Sequence, residues 1–145
     1  MDISKNANFG PRDLKPENVL CVDNNDDFPQ VKIAEFWTSR KIRWRAYSYC
    51  GTRSYMAPEI KDGLPYTKKV DMWSLGCILY NLLCRGSTSN IIEKIDSGWR
   101  EFYSPVWDEV SVEAMDMIEN LIVLDPSKRF GIKQILRHPW MQREA

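Results

Sequence analysis

Apolar residues are concentrated in the second half of the chain, where they recur with helical spacing. The stretch VDMWSLGCILYNLLC (70–84) is apolar nearly all round, which is typical of a helix buried at the centre of a domain. A second helical pattern follows Ser111, a residue type that favours the N-cap position. The apolar positions of this second pattern are Val112, Met115, Ile118, Leu121 and Ile122.

Shorter periodic stretches predict three more helices. One begins at Ala57 or Pro58, because proline is tolerated in a first helical turn, and the sequence Asp-Gly-Leu-Pro (62–65) ends it. A short amphipathic helix is predicted by Ile91, Ile92 and Ile95. A last helix begins at Ile132 and places three apolar residues on one side, namely Ile135, Leu136 and Trp140.

Two β-prone runs occur near the N-terminus. VLCVD (19–23) and VKIAEF (31–36) flank the polar turn NNDDFPQ (24–30), so this region is predicted to form a β-hairpin. Residues 1–10 have no periodicity and are predicted to be a disordered lead-in, whereas residues 37–56 are predicted to form a long loop. The whole pattern predicts a mainly α fold with one small hairpin, without repeats or a second domain.

Composition and charge narrow the class of protein. The 145 residues suffice for one domain, and 20 basic residues balance 20 acidic ones, so no overall field attracts nucleic acid or an anionic membrane. The apolar run at 77–83 is too short to span a bilayer. The polar first ten residues lack the core of a signal peptide, and the cysteines have no CxxC spacing. We therefore expect an intracellular, most simply cytoplasmic, protein with reduced thiols.

Chemically active residue types cluster in the stretch PRDLKPENVL (11–20). Asp13, Lys15 and Asn18 offer a base, a cation and an oxygen donor, and Glu35 adds a carboxylate after the hairpin. Such a set suits a hard cation such as Mg²⁺ and phosphoryl transfer, which depends on positioning and charge neutralisation. The same residues are also common in ordinary turns, so the loop alone does not decide the function.

The order of several motifs resembles that of the protein kinase family. PRDLKPENVL resembles the kinase catalytic loop HRDLKPEN, and the later landmarks follow in the family's order. These landmarks are VKIAEFW (31–37), CGTRSYMAPEI (50–60), VDMWSLG (70–76), SPVWDEVSVEAMDMIENLIVLDPSKRF (104–130) and LRHPW (136–140). The similarity covers about residues 11–141, and the motif sequences most resemble those of the calcium/calmodulin-dependent serine/threonine group.

The resemblance implies a fold and a domain plan. The expected fold is a mainly α, protein-kinase-like C-terminal lobe with a small β-hairpin and with the N-terminal lobe absent. Residues 1–10 would be a lead-in, residues 11–141 a partial kinase domain from the catalytic loop to the last helix, and residues 142–145 a tail.

The resemblance also implies catalytic roles. Asp13 would accept the proton of a substrate hydroxyl, and Lys15 would steady the transferred phosphate. Lys15 together with Thr52 resembles serine/threonine kinases rather than tyrosine kinases. Asn18 and Glu35 would hold Mg²⁺, and Lys15, Asn18 and Glu35 would contact the cofactor Mg-ATP. Glu35 could instead be an inherited carboxylate without a ligand.

Structural and regulatory roles follow in the same way. Arg12 would meet a phosphorylated activation loop, in which Ser48 occupies the acceptor position. Glu59 and Arg129 would form a buried ion pair between the activation segment and the last helices. Asp71 would hold the backbone of the catalytic loop from the central helix.

The sequence departs from the family pattern at several positions. Pro11 replaces the histidine of the catalytic loop, and Glu35 and Trp37 replace the aspartate and glycine of Asp-Phe-Gly. The longer glutamate displaces its carboxylate, and about 1 Å of misplacement can cost on the order of a hundredfold in rate. The chain also contains no Gly-rich loop, strand lysine or αC glutamate, so most contacts to a nucleotide are missing.

These observations leave three functional hypotheses. The first is a serine/threonine protein-kinase-like fragment with ATP-dependent phosphoryl transfer to protein hydroxyls, weak or inactive as an isolated chain. The second is a pseudokinase-like module that binds a partner protein through the unpacked face of the helix at 70–84. A remote third is binding of single-stranded nucleic acid by the basic, aromatic segment RKIRWRAY (40–47). The expected partner is a protein substrate or a partner protein, with neither nucleic acid nor membrane.

Overall fold

The structure is a computed structural model, and it describes the residues 9–10, 13–22, 30–34, 40–41, 53–84, 102 and 105–142. The strands within these residues are β1 (Phe9–Gly10), β2 (Val19–Val22), β3 (Gln30–Ile33) and β4 (Arg40–Lys41). The helices are α1 (Pro58–Lys61), α2 (Lys69–Leu83), α3 (Val112–Leu121) and α4 (Ile132–Leu136). Short 3-10 turns occur at Pro16–Asn18, Arg53–Tyr55 and Pro139–Gln142.

The predicted hairpin is present as an antiparallel pair of β2 and β3. Val19 lies opposite Ile33 and Val22 lies opposite Gln30. The turn between the strands lies outside the described residues. The hairpin therefore begins directly after the 3-10 turn at 16–18, so it follows the loop that carries the candidate chemistry.

A second strand pair corrects two predictions from the sequence. Phe9 and Gly10 pair antiparallel with Lys41 and Arg40, so these positions are neither disordered lead-in nor structureless loop. Strand pairing uses backbone N–H and C=O groups, which a pattern of side-chain polarity does not report over two residues. Residues 1–8 and 42–52 lie outside the described residues.

Helix α1 ends as the sequence predicts. The chain turns at Gly63, whose φ of 66° lies in the left-handed region that glycine adopts without strain. The N–H of Leu64 then donates to the Glu59 carbonyl at 2.8 Å, which satisfies an end carbonyl of this short helix.

Helix α2 forms the centre of the described packing, as its apolar pattern predicts. Trp73 is fully buried, and Val70, Cys77 and Tyr80 are each less than 5% exposed. The helix packs against α3, and a layer of buried apolar residues from several segments surrounds it. Members of this layer outside α2 are Met56, Ala57, Ile60, Tyr66, Cys84, Trp107, Ile118 and Ile122.

Helix α3 begins at the predicted N-cap. The Ser111 hydroxyl accepts a hydrogen bond from the Ala114 N–H at 3.3 Å, which satisfies one of the free donors of the first turn. The helix is amphipathic as predicted, and Ile118 and Leu121 are buried. The prediction for Val112 is wrong, because the buried side also runs through Ala114 and Met117 and leaves Val112 70% exposed.

The C-terminal helix is shorter than its pattern suggests. Ile135 is buried, but Leu136 is 55% exposed, so the prediction that both share a packed side with Trp140 is wrong. The helix ends at Leu136, so Trp140 lies in the 3-10 turn that follows and not on the same helix.

The His138 ring connects two segments of the chain. It bonds Asp116 of α3 through Nε2 at 2.7 Å and accepts from the Trp140 N–H at 3.2 Å, which gives His138 a structural role.

Among the described helices, none has the length and apolar character needed to cross a membrane.

Helix α2 and the end of α3 approach each other closely at Gly76. A Cβ atom added at Gly76 would lie 2.8 Å from both Ile122 Cγ1 and Leu121 Cβ. Both neighbours are fully buried and close to the backbone, so neither can move without disturbing the helix contact. Glycine is therefore required here by space rather than by backbone conformation.

We expect Gly76→Ala to lower the free energy of unfolding by about 1–3 kcal/mol, because overpacking would push α2 and α3 apart. Urea denaturation followed by tryptophan fluorescence measures the change. Gly131→Ala is the matched control, because the nearest atom to its added Cβ is 3.7 Å away and the expected loss stays below about 1 kcal/mol. Equal losses in the two variants would contradict the steric explanation.

Candidate active site

Asp13 and Lys15 form a charged pair on the loop before the 3-10 turn at 16–18. Lys15 Nζ lies 3.5 Å from Asp13 Oδ2, and the two side chains are 24% and 16% exposed. Leu14 between them is buried, which anchors the loop while both charged groups keep access to solvent. A base and a cation thus lie side by side, where a ligand can reach them.

Asn18 fixes the shape of this loop. Its side chain is 4% exposed, and Nδ2 donates to the Asp13 carbonyl at 2.9 Å. Its backbone N–H donates to the Lys15 carbonyl at 3.0 Å, and its own carbonyl accepts from the Ala34 N–H at 2.7 Å. Because Asn18 contacts both the loop and the end of β3, it links the candidate site to the hairpin.

The arrangement leaves limited capacity for a metal among the described residues. With Nδ2 bonded to Asp13, the Asn18 side chain retains its amide oxygen as a possible ligand of a hard cation. No group of three or more His, Cys, Asp or Glu side chains lies close enough to hold a metal within the part of the chain that is described. Any Mg²⁺ site here therefore needs a further ligand, as the predicted role of Glu35 assumes.

Several predicted site residues lie outside the described residues. Arg12, Glu35, Ser48 and Thr52 are among them, and so is most of the basic segment 40–47. Their roles in phosphate, metal and substrate binding stay predictions.

Glu59 of α1 and Arg129 form the ion pair that the resemblance implies. Arg129 Nη1 and Nη2 donate to the two Glu59 carboxylate oxygens at 2.7 and 3.0 Å. Arg129 is fully buried and Glu59 is 5% exposed. The two-point geometry matches the planar guanidinium to the planar carboxylate, which is the strongest form of such a pair.

Arg129 also binds the backbone of two other segments. Its Nε donates to the Val123 carbonyl at 3.0 Å, and Nη1 donates to the Lys69 carbonyl at 2.8 Å. The guanidinium carbon lies 5.1 Å from the centroid of the Trp73 ring, which adds a cation–π contact. A single side chain therefore connects α1, the start of α2 and the turn after α3.

Lys69 also binds Arg129 through its side chain. Its ammonium group donates to the Arg129 carbonyl while its own carbonyl accepts from Arg129. Burial and then the positive charge of Arg129 lower the pKa of Lys69. This lysine was not predicted from the sequence, because its role depends on a residue sixty positions away.

The turn at 125–129 presents Arg129 to its partners. The Ser127 hydroxyl and N–H donate to Asp125 Oδ1 at 2.7 and 2.9 Å, and these bonds lower the pKa of Asp125. The Arg129 N–H donates to the Asp125 carbonyl at 3.2 Å. The Asp-Pro-Ser sequence thus explains locally why the chain turns just before the buried arginine.

Asp71 lies in the first turn of α2 and is 6% exposed. A buried carboxylate requires hydrogen-bonding or ionic partners. Its predicted contact with the backbone of the catalytic loop stays a prediction.

A contact between α2 and the turn at 53–55 was not predicted from the sequence. Ser74 Oγ donates to the Tyr55 carbonyl at 2.7 Å, and Asn81 Nδ2 donates to the Tyr55 hydroxyl at 3.2 Å. Burial raises the pKa of the Tyr55 phenol, although the bond from Asn81 opposes the shift. Ser74 and Asn81 are polar residues seven positions apart on an apolar helix, and that spacing on one face was an available signal.

Comparison with known proteins agrees with these motifs. The family model described as protein kinase domain matches residues 6–141. Calcium/calmodulin-dependent protein kinase type IV of Homo sapiens is 44% identical over 144 residues, covering 92% of this chain and 30% of the relative. Serine/threonine-protein kinase DCLK3 of Mus musculus is 38% identical over 143 residues, covering 93% of this chain and 18% of the relative.

The chain belongs to the protein kinase domain family. Its relatives include serine/threonine kinases of the calcium/calmodulin-dependent type, which confirms the resemblance inferred from the motifs. A probable serine/threonine-protein kinase, fhkC of Dictyostelium discoideum, is 45% identical over 142 residues, covering 89% of this chain and 23% of the relative. The chain thus spans less than a third of the length of these three relatives.

We expect Arg129→Met to lower the free energy of unfolding by about 3–5 kcal/mol, because it leaves the Glu59 carboxylate buried without its partner. Chemical denaturation measures the loss. Arg137→Met removes an exposed arginine and should change stability by less than about 0.5 kcal/mol.

The double variant Glu59→Leu/Arg129→Met completes the test. It should cost clearly less than the sum of the single variants, because neither charge is then left unpaired in the core. Additive losses would show that the two side chains do not depend on each other.

Proposed function

We propose that this chain carries the C-terminal-lobe portion of a serine/threonine protein kinase, whose reaction is phosphoryl transfer from ATP to a protein hydroxyl. The observation that carries the proposal is the loop geometry, in which Asp13 and Lys15 lie 3.5 Å apart and Asn18 holds the Asp13 carbonyl. The similarity to serine/threonine kinases supports the class of acceptor. The domain would extend over residues 11–141, with 1–10 and 142–145 as flanking segments.

Asp13 would act on the acceptor hydroxyl. Its carboxylate is partly exposed, and the buried Asn18 fixes the backbone carbonyl of the same residue, so a serine or threonine side chain can approach a carboxylate on a well-defined loop. The carboxylate would orient the hydroxyl and accept its proton as the phosphorus–oxygen bond forms. Lys15 would balance negative charge on the transferred phosphoryl group, because its ammonium lies beside the same carboxylate. Thr52 would complete the acceptor side.

The oxygen donors of Asn18 and Glu35 suit the Mg²⁺ ion of Mg-ATP. Kinases of this family generally use ATP and Mg²⁺. Mg²⁺ keeps several waters and phosphate oxygens, so one amide oxygen from Asn18 and one carboxylate from Glu35 would suffice as protein ligands. The bound metal ion and nucleotide would supply the phosphoryl group and neutralise its charge.

The regulatory and structural residues have proposed roles as well. Arg12 would pair with a phosphate on Ser48, because guanidinium groups bind phosphate oxygens at two points. Asp71 would hold the loop backbone from α2. Glu59 and Arg129, whose contact is observed, would keep the activation segment in register with the last helices.

Two features favour low activity for these 145 residues by themselves. Lys15 and Asn18 are the described residues placed to touch a phosphate or its metal ion, which is a small fraction of the contacts that a kinase uses. Glu35 in place of aspartate displaces the metal-binding carboxylate, and Trp37 replaces a glycine. We therefore propose that the isolated chain transfers phosphate at or near the background rate.

For the isolated chain, we expect no transfer of radiolabelled phosphate from Mg-ATP to a generic basic serine peptide above the level seen with Asp13→Ala. The reason is that, among the described residues, Lys15 and Asn18 are the ones placed to touch a phosphate or its metal ion. A thermal shift with Mg-ATP but without transfer would indicate a nucleotide-binding pseudokinase. Transfer that disappears in Asp13→Ala would establish the catalytic role of Asp13 and overturn the expectation of inactivity.

A chimaera tests the chemistry of the loop in a protein to which the missing contacts to the nucleotide have been added. The part of calcium/calmodulin-dependent protein kinase type IV that precedes its matched segment would be joined to this chain. We expect transfer to a serine peptide that is lost in Asp13→Asn. Glu35→Asp should raise the rate by on the order of ten- to a hundredfold, because the shorter side chain restores the position of the carboxylate.

Glu119→Asp serves as the control for this substitution, since it makes the same change on the exposed face of α3. It should leave the rate unchanged. If Glu35→Asp has no larger effect than Glu119→Asp in a chimaera that is active and folded, Glu35 is not a metal ligand.

The exposed hairpin face favours a second candidate function, a protein-interaction module without catalysis. Val19 lies opposite Ile33 and Cys21 opposite Val31, so these four apolar residues share one face of the two-stranded sheet. Cys21 is exposed, and Val31 and Ile33 are 62% and 42% exposed. A contiguous apolar face of this kind is typical of a surface that another polypeptide covers.

We expect Val31→Ser to reduce the fluorescence of a bound hydrophobic dye by roughly half, because it removes an apolar side chain of this face that is 62% exposed. Val112→Ser, which removes an isolated apolar residue that is 70% exposed on α3, should leave the signal nearly unchanged. Both variants must retain a cooperative unfolding transition. Equal dye binding by the two variants would count against an open apolar face on the hairpin.

We also propose an intracellular, cytoplasmic setting. Cys21 and Cys84 are free thiols in the described part of the chain, and reduced cysteines are the normal state in the cytosol. The partner in either function would be a protein.

A further inference from the structure

We draw no further inference here: the strongest candidate, the exposed apolar face that Val19, Cys21, Val31 and Ile33 form on the β2–β3 hairpin, carries no named occupant because nothing in the structure shows what covers it.

Discussion

The buried guanidinium of Arg129 is the constraint on which the described packing depends. A positive charge without any exposed surface is tolerated only if its hydrogen bonds are satisfied, and those bonds go to Glu59, Val123 and Lys69. Because these partners come from separate segments, the charge can be accommodated in one arrangement of those segments. Apolar burial around Trp73 supplies the driving force, while the arginine determines which packing is adopted.

A buried polar side chain also determines the local conformation at the candidate active site. Asn18 is buried and uses its amide nitrogen on the Asp13 carbonyl, so the loop conformation is determined by a polar group that has few alternatives. Its backbone carbonyl continues the contact to Ala34 at the end of β3. The loop is therefore held between a buried anchor, Leu14, and the hairpin, which leaves the two charged side chains at its outer edge.

What could be predicted from the sequence depended on whether the signal was local or long-range. Helix α2, the Ser111 cap and the hairpin were predicted because their patterns lie within one short segment. The pairing of Glu59 with Arg129 came only through family motifs, since seventy residues separate them. The contact of Lys69 with Arg129 was missed because nothing near Lys69 indicates it. The prediction for Leu136 was wrong because it assumed one helix that continues to Trp140, whereas the helix ends at Leu136 and leaves this side chain exposed.

Two ion pairs of this chain, each between a carboxylate and a basic side chain, have different roles because they differ in burial. Glu59 and Arg129 make two short bonds away from water, so separating them would leave charges without compensation, and the pair acts as a permanent tie. Asp13 and Lys15 make one longer contact at 3.5 Å with access to solvent, where an ion pair contributes little to stability. That weak contact can be exchanged for a ligand at small cost. A hydroxyl and a phosphoryl group are ligands of the kind that such a pair could accept, which is why we propose the chemistry for this partly exposed pair rather than for the buried one.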